Sequence, residues 1–364
     1  MDKPVIAIVG LRFGSIFAEL YQLHPDVASI VLCDTDPQAA AELSVRLGGV
    51  RILPSFAAVL ADPSIAAVHL ATPIPLHVDQ SVAALAAGKH VACAVPAATD
   101  LEGCQRLVAA ERASGKRYLM AETQAFGSDF LLVRDLHRRG ALGRIQYLKG
   151  AHHQNMEAWP DYWLGLPPMW YATHALMPLL LLADAPITQV SCFGSGTIRR
   201  ELADRYGSPF AVETAHFRFA NGLVAQVERS LFETATPNCE EFEVFGSAAS
   251  FTKKRLVRLN DRVEDYSRGF STTVQPVHPP LRLDLLTPGF AARLLGVHAE
   301  RPESPLYAGH GGSHPHLADE FVRCIIQDRP SVIDAAASAM CCAAAAVAHQ
   351  SALAGGVLFD VPVL

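Results

Sequence analysis

The chain has 364 residues, half of them hydrophobic, and a net charge of −6, which suits two domains with sizeable cores. The balance of charge excludes a nucleic-acid surface, because the basic spots His137-Arg138-Arg139 and Lys253-Lys254-Arg255 are no longer than solvated turns. The longest apolar run, Leu176 to Ala183, contains Pro178 and is too short to cross a bilayer, and no signal peptide is expected ahead of the first strand. The eight cysteines show no C-x-x-C pairing, so reduced thiols in a cytoplasmic protein are expected.

In chain order, Val5 to Val9 reads as an apolar strand, Gly10-Leu-Arg-Phe-Gly14 as a turn, Ser15 to Leu23 as a helix, and Ser29 to Cys33 as a second strand ending on Asp34. This order is that of a dinucleotide-binding βαβ unit. Gly10 makes the tight turn, and the helix that follows offers free N–H groups and a positive dipole end to a pyrophosphate. Asp34, about twenty residues on, stands where a carboxylate accepts ribose hydroxyls and disfavours a 2′-phosphate, so NAD is expected rather than NADP. Arg12 occupies the place of the usual second glycine. Its side chain either reaches a phosphate or crowds the site. Gly14 falls one residue short of the usual third glycine position, Ser15. An ordinary βα turn remains the bland alternative.

The alternation continues. Helices are expected from Pro37 to Leu47 with Asp36 as N-cap, from Ser55 to Leu60, from Pro75 to Ala87 and from Asp100 to Ser114. Strands are expected at Ala66–Leu70, His90–Cys93 and Tyr118–Ala121. Strands alternating with helices mean a parallel sheet covered on both faces. The rhythm then changes to a helix at Phe130–Arg138, a long strand at Ile145–His153 and a helix near Thr173–Leu182. Further long strands follow at Ile187–Gly194, Ala211–Phe219, Leu223–Leu231 and Glu241–Gly246, with Asn221-Gly222 as a hairpin turn. Leu256 to Pro305 reads as loops, and Ser313–Asp328 and Val332–Leu353 as helices. The fold class is α/β: a Rossmann domain over residues 1–123, then an α/β domain over 124–364 with an open, largely antiparallel sheet.

Three further segments carry a family resemblance: Ala71-Thr-Pro-Ile-Pro-Leu-His77, Gly88-Lys-His-Val-Ala-Cys-Ala-Val-Pro96 and Gly140-Ala-Leu-Gly-Arg-Ile145. With the N-terminal unit they resemble the Gfo/Idh/MocA family, the glucose–fructose oxidoreductase and inositol dehydrogenase group, over nearly the whole chain. The resemblance implies a nicotinamide cofactor, sugar or polyol substrates, and homodimers or homotetramers formed through the open sheet. It also implies cofactor contacts from Gly10, Arg12, Phe13, Gly14, Asp34, Thr72, Pro73 and His77, although His77 could instead only pack. The family's Glu-Lys pair corresponds here to Ala94 and Val95, and the aspartate four residues before its helix histidine corresponds to Trp170. Only the histidine is matched, by His174.

His174 is therefore the first candidate for acid–base work, against the alternative of a helix-start histidine bonded to nearby backbone. Glu122 and His153 are further catalytic candidates. Only one of His152 and His153 can face the site, since adjacent strand residues point to opposite faces. Tyr162, Trp170 and Tyr171 could line a sugar pocket with Glu157, or could equally be a packed loop. The segment Tyr307–His316, read as a Gly-rich loop, carries His310, His314 and His316. These could bind substrate, hold a metal or belong to structure alone, and substrate binding is preferred, with no metal assigned. Three functions compete. The first is an NAD-dependent oxidoreductase on a sugar, polyol or related hydroxy compound. The second is a redox-neutral NAD enzyme that works through a transient ketone. The third is a non-catalytic member.

Overall fold

The computed structural model describes residues 3–259, 272–301 and 304–364. It divides into an N-terminal unit, Met1–Phe126 with Leu281–Cys342 and Leu364, and a C-terminal unit, Gly127–Pro280 with Ala343–Val363.

The N-terminal unit runs β1 (Val5–Val9), α1 (Leu11–Leu23), β2 (Ser29–Cys33), α2 (Pro37–Arg46), β3 (Arg51–Ile52), α3 (Phe56–Ala61), β4 (Ala67–Leu70), α4 (His77–Ala86), β5 (His90–Cys93), α5 (Leu101–Ser114) and β6 (Tyr118–Met120). The strands pair in parallel in the order β3-β2-β1-β4-β5-β6. β1 and β4 are almost wholly buried, as their unbroken apolar runs require of a sheet covered on both faces. Strand order reverses between β1 and β4, the switch point where open α/β sheets bind ligands. Helix boundaries follow local chemistry: Asp36 accepts from the N–H groups of Gln38 and Ala39 with Pro37 behind it, and Gly115 ends α5 in a left-handed conformation.

The C-terminal unit runs α6 (Ser128–Arg138), β7 (Ile145–His153), α7 (Thr173–Ala183), β8 (Ile187–Ser195), α8 (Arg200–Tyr206), β9 (Val212–Phe219), β10 (Val224–Ser230), β11 (Cys239–Gly246), β12 (Ala249–Thr252), β13 (Arg255–Leu259) and β14 (Thr272–Pro276). With β15 (Phe359–Asp360) these strands form one sheet, ordered β14-β13-β12-β11-β7-β10-β9-β8-β15, in which, among the described residues, only β7 and β10 pair in parallel. The hairpin at Asn221-Gly222 joins β9 to β10. α7 lies on one face of β7. Gly150 permits this, because a Cβ there would sit 2.3 Å from the carbonyl oxygen of Ala175.

Two expectations are corrected. The span 256–305 is not loop alone: it holds β13, β14 and α9 (Pro288–Glu300), while 260–271 and 302–303 lie outside the described residues. Charged residues on β13 and a proline on β14 hide short strands near a sheet edge, and α9 buries only Phe290 and Leu294. Nor is 307–316 one loop. It belongs to α10 (Pro305–Ile326), which breaks at Gly309–Gly312 and resumes at Ser313, so His314 and His316 are helical. Pro315 falls in the first turn after the break, where its missing N–H costs nothing. α11 (Ala335–Leu353) is long and apolar enough to cross a membrane, yet 72% of its most apolar window is buried, as in a core helix.

Candidate active site

In the N-terminal unit the turn after β1 is tighter than the usual dinucleotide fingerprint. α1 begins at Leu11, directly after Gly10. Gly10 has φ 88°, and a Cβ on it would lie 2.4 Å from the carbonyl oxygen of Ala71, so no other residue fits. A Cβ on Gly14 would lie 2.7 Å from Cγ2 of Ile8. Gly14 thus performs the close helix–strand packing of the usual third glycine, one position early. Arg12 and Phe13 are exposed on the first turn of α1. Asp34 is oriented by its neighbours: Oδ2 accepts from the N–H of Leu11 at 2.5 Å and Oδ1 from that of Asp36 at 2.9 Å. Each oxygen keeps lone pairs for a ribose hydroxyl.

Thr72 and Pro73 follow β4, with the Thr72 hydroxyl donating to Gln80 at 2.6 Å. His77 is buried, and both its nitrogens face backbone carbonyls, Nδ1 to Pro96 at 2.8 Å and Nε2 to Thr72 at 2.7 Å. It ties the backbone of Thr72 to that of Pro96. Burial pushes its pKa down, but the neighbouring Cys93 thiol and the two carbonyls outweigh this and raise it to about 9. Glu122 is fully buried and accepts from the N–H of Gln124 at 2.9 Å.

His310, His314 and His316 also belong to the N-terminal unit, not to the unit that carries His174. The His314 ring lies 5.7 Å from Phe13 and 5.4 Å from Phe17 on α1, and 5.0 Å from His310. Among the described residues neither of its nitrogens has a hydrogen-bond partner, and burial lowers its pKa to about 3. Among the described residues, no three His, Cys, Asp or Glu side chains are grouped to hold a metal ion.

In the C-terminal unit, Tyr171 and His174 flank the start of α7, with the Tyr171 hydroxyl 3.2 Å from His174 Nε2. The His174 ring is 4.9 Å from that of His152, whose Nε2 is 3.5 Å from Glu240. The histidine beside His174 is therefore His152. The expectation for His153 is corrected: it sits on the opposite face of β7, with Nδ1 2.9 Å from the Ser230 hydroxyl. Trp163 packs edge-on against Tyr171, and Tyr162 stacks at a tilt on Trp163. Trp170 turns to Tyr206 and His349, and Glu157 is taken up in an ion pair with Arg199.

Sequence reasoning missed Glu213 and Arg229, both 0% exposed. The signal was available: each is a charged residue in phase with the apolar positions of its strand, Ala215 and Phe217 on β9, Ala225 and Val227 on β10. Arg229 donates to the carbonyls of Tyr171, His152 and Ser230 and to the Gln154 side chain. Burial lowers its pKa to about 9, which leaves it charged at neutral pH.

A Rossmann unit with an acidic residue after its second strand, joined to an open mixed sheet bearing a histidine–tyrosine pair, defines a two-domain dinucleotide-binding α/β protein. The chain belongs to the Gfo/Idh/MocA family: the profile described as "Oxidoreductase family, NAD-binding Rossmann fold" matches residues 5–122, and the GFO/IDH/MocA C-terminal domain matches 130–252. An inositol 2-dehydrogenase of Acidothermus cellulolyticus is 34% identical over 124 residues, 34% of this chain and 36% of that protein, so the match spans about a third of the relative's length. A levoglucosan dehydrogenase of Pseudarthrobacter phenanthrenivorans is 26% identical over 68% of this chain and 72% of its own. A glycosyl hydrolase family 109 protein of Phocaeicola vulgatus is 22% identical over 100% of this chain and 84% of its own. The structure of levoglucosan dehydrogenase in complex with NADH and levoglucosan shares the fold, with a TM-score of 0.77 at 21% identity over 99% of both chains.

Proposed function

We propose that the protein is an NAD-dependent oxidoreductase acting on a sugar, polyol or related hydroxy compound, with His174 as the acid–base group. The carrying observation is the Tyr171–His174 contact at 3.2 Å, with the His152 ring 4.9 Å from His174. His174 would take the hydroxyl proton of the substrate, directly or through Tyr171, and a bound nicotinamide would supply the hydride acceptor for the same carbon. Val95 stands where the family resemblance places a lysine, so the proton falls to the histidine. Gly10, Gly14 and the α1 N-terminus face the pyrophosphate, with Arg12 and Phe13 beside it. Thr72 and Pro73 face the nicotinamide side, and His77 supports them from below. The Asp34 carboxylate favours NAD over NADP. Tyr162, Trp163 and Tyr171 suit the C–H faces of a sugar ring.

A redox-neutral cycle through a transient ketone is the second reading. It is favoured by the clustering of two imidazoles and a phenol, because such a cycle needs more than one proton transfer. Eight free cysteines suit a cytoplasmic location, and the exposed Phe193 on the sheet suits association of copies through that face. Incubation of the purified protein with NAD and a panel of cyclic polyols and anhydrosugars tests the reading. Net NADH supports it, product without net NADH supports the second reading, and failure to bind NADH sinks both.

A further inference from the structure

β9 and β10 each bury one side of an alternating strand. Glu213, Ala215, Phe217 and Phe219 line that side of β9, and Ala225, Val227 and Arg229 that of β10. Glu213 and Arg229 are direct cross-strand partners. A buried charge is costly unless strongly hydrogen-bonded, and apolar residues at both positions would serve a sheet that needed only to be stable. The two side chains do not bond to each other. Both reach the same short turn, Pro168–Tyr171, which leads into α7.

Glu213 Oε2 accepts from the N–H of Met169 at 2.7 Å, and Arg229 Nε donates to the carbonyl of Tyr171 at 2.7 Å. An anion thus holds the donor near the start of the turn, and a cation holds the acceptor at its end. The other carboxylate oxygen accepts from His349 Nδ1 at 2.6 Å, which ties Glu213 to α11. The rest of the guanidinium is anchored on His152 O, Ser230 O and Gln154 Oε1, with its carbon 5.2 Å from the Tyr171 ring centre. One buried cation therefore fixes the backbone of both Tyr171 and His152, and His174 stands three residues beyond the turn.

We propose that Glu213 and Arg229, with His349 behind the carboxylate, are positioning residues that set the geometry of the Tyr171–His174 pair. The chemical consequence rests on the reading above; the geometric one does not. Charge-assisted bonds to backbone are short and directional, the property needed to hold proton-handling groups to within a fraction of an ångström.

The test uses the full chain with labelled histidines. Glu213→Met removes the acceptor for Met169, and Glu213→Gln keeps it. Arg229→Lys keeps the charge and loses the fork. Phe217→Leu, on the same side of β9 but away from the turn, controls for general destabilisation. Glu213→Met and Arg229→Lys should speed amide exchange across residues 169–174 by about tenfold or more and shift the His174 ring resonances. NADH affinity should stay unchanged, Glu213→Gln should restore the exchange pattern, and Phe217→Leu should leave turn and ring as in the wild type. Turnover of levoglucosan or myo-inositol with NAD, where the wild type shows it, should fall by about tenfold in the first two variants. The proposal is overturned if Glu213→Met and Arg229→Lys leave the turn and the His174 signals unchanged, if Glu213→Gln restores nothing, or if Phe217→Leu perturbs them equally. A wild type inactive on every probe sinks the redox reading, while exchange and ring signals still decide the positioning role.

Discussion

His77 offers a sharp test of the N-terminal unit. Its nitrogens lie 2.8 and 2.7 Å from two carbonyl oxygens, which only accept hydrogen bonds. A neutral imidazole carries one N–H, so both bonds require the imidazolium. The folded pKa of about 9 stands above the ordinary 6.5. The folded state therefore binds a proton that the unfolded state releases between those values. The stabilisation is complete below 6.5 and is lost as pH rises through about 9. At about 1.4 kcal/mol per pH unit, the interval corresponds to about 3 kcal/mol. Urea unfolding of wild type and His77→Gln, from about pH 6 to about pH 10, should show the wild type losing about 3 kcal/mol more than the variant. Equal slopes, or ring-nitrogen resonances of a single neutral tautomer at neutral pH, would refute the reasoning.

The acid limb runs the other way. Burial holds His69 and His314 down at about 3, so the unfolded state binds their protons first and stability falls as pH drops below 6.5. His314→Leu, which removes two unpartnered nitrogens from beside Phe13 and Phe17, should flatten that limb and add about 1 kcal/mol in chemical unfolding; a loss of stability would contradict it. Gly150→Ala should push α7 away from β7 and separate His152 from His174, lowering turnover while NADH titration is unaltered. Asp34→Ala should weaken NAD binding by about tenfold and narrow the preference over NADP, as compared by cofactor titration; an unchanged ratio would remove Asp34 from the ribose site.

Much of this architecture was legible because its chemistry is local. Capping residues, the Asn221-Gly222 hairpin and the apolar parallel strands announce themselves within a few residues. The His152/His153 choice was also bounded by strand alternation, but which face α7 covers depends on Gly150, a long-range packing fact. The Tyr307–His316 segment misled because three glycines suggest a loop, whereas four non-helical residues suffice to break a helix that then resumes. Glu213 and Arg229 were overlooked because charges on strands ordinarily face water; only their phase with Ala215, Phe217 and Val227 betrays them.

Hydride transfer to NAD with His174 managing the proton is the reaction proposed for this chain. The most direct measurement follows the near-ultraviolet absorbance of reduced nicotinamide when wild type and His174→Asn are each mixed with NAD and the polyol panel. The wild type should form NADH, and the variant should lose about a hundredfold or more of that rate at unchanged NADH affinity. Equal rates in the two proteins, or a wild type that binds no nicotinamide cofactor, would contradict it.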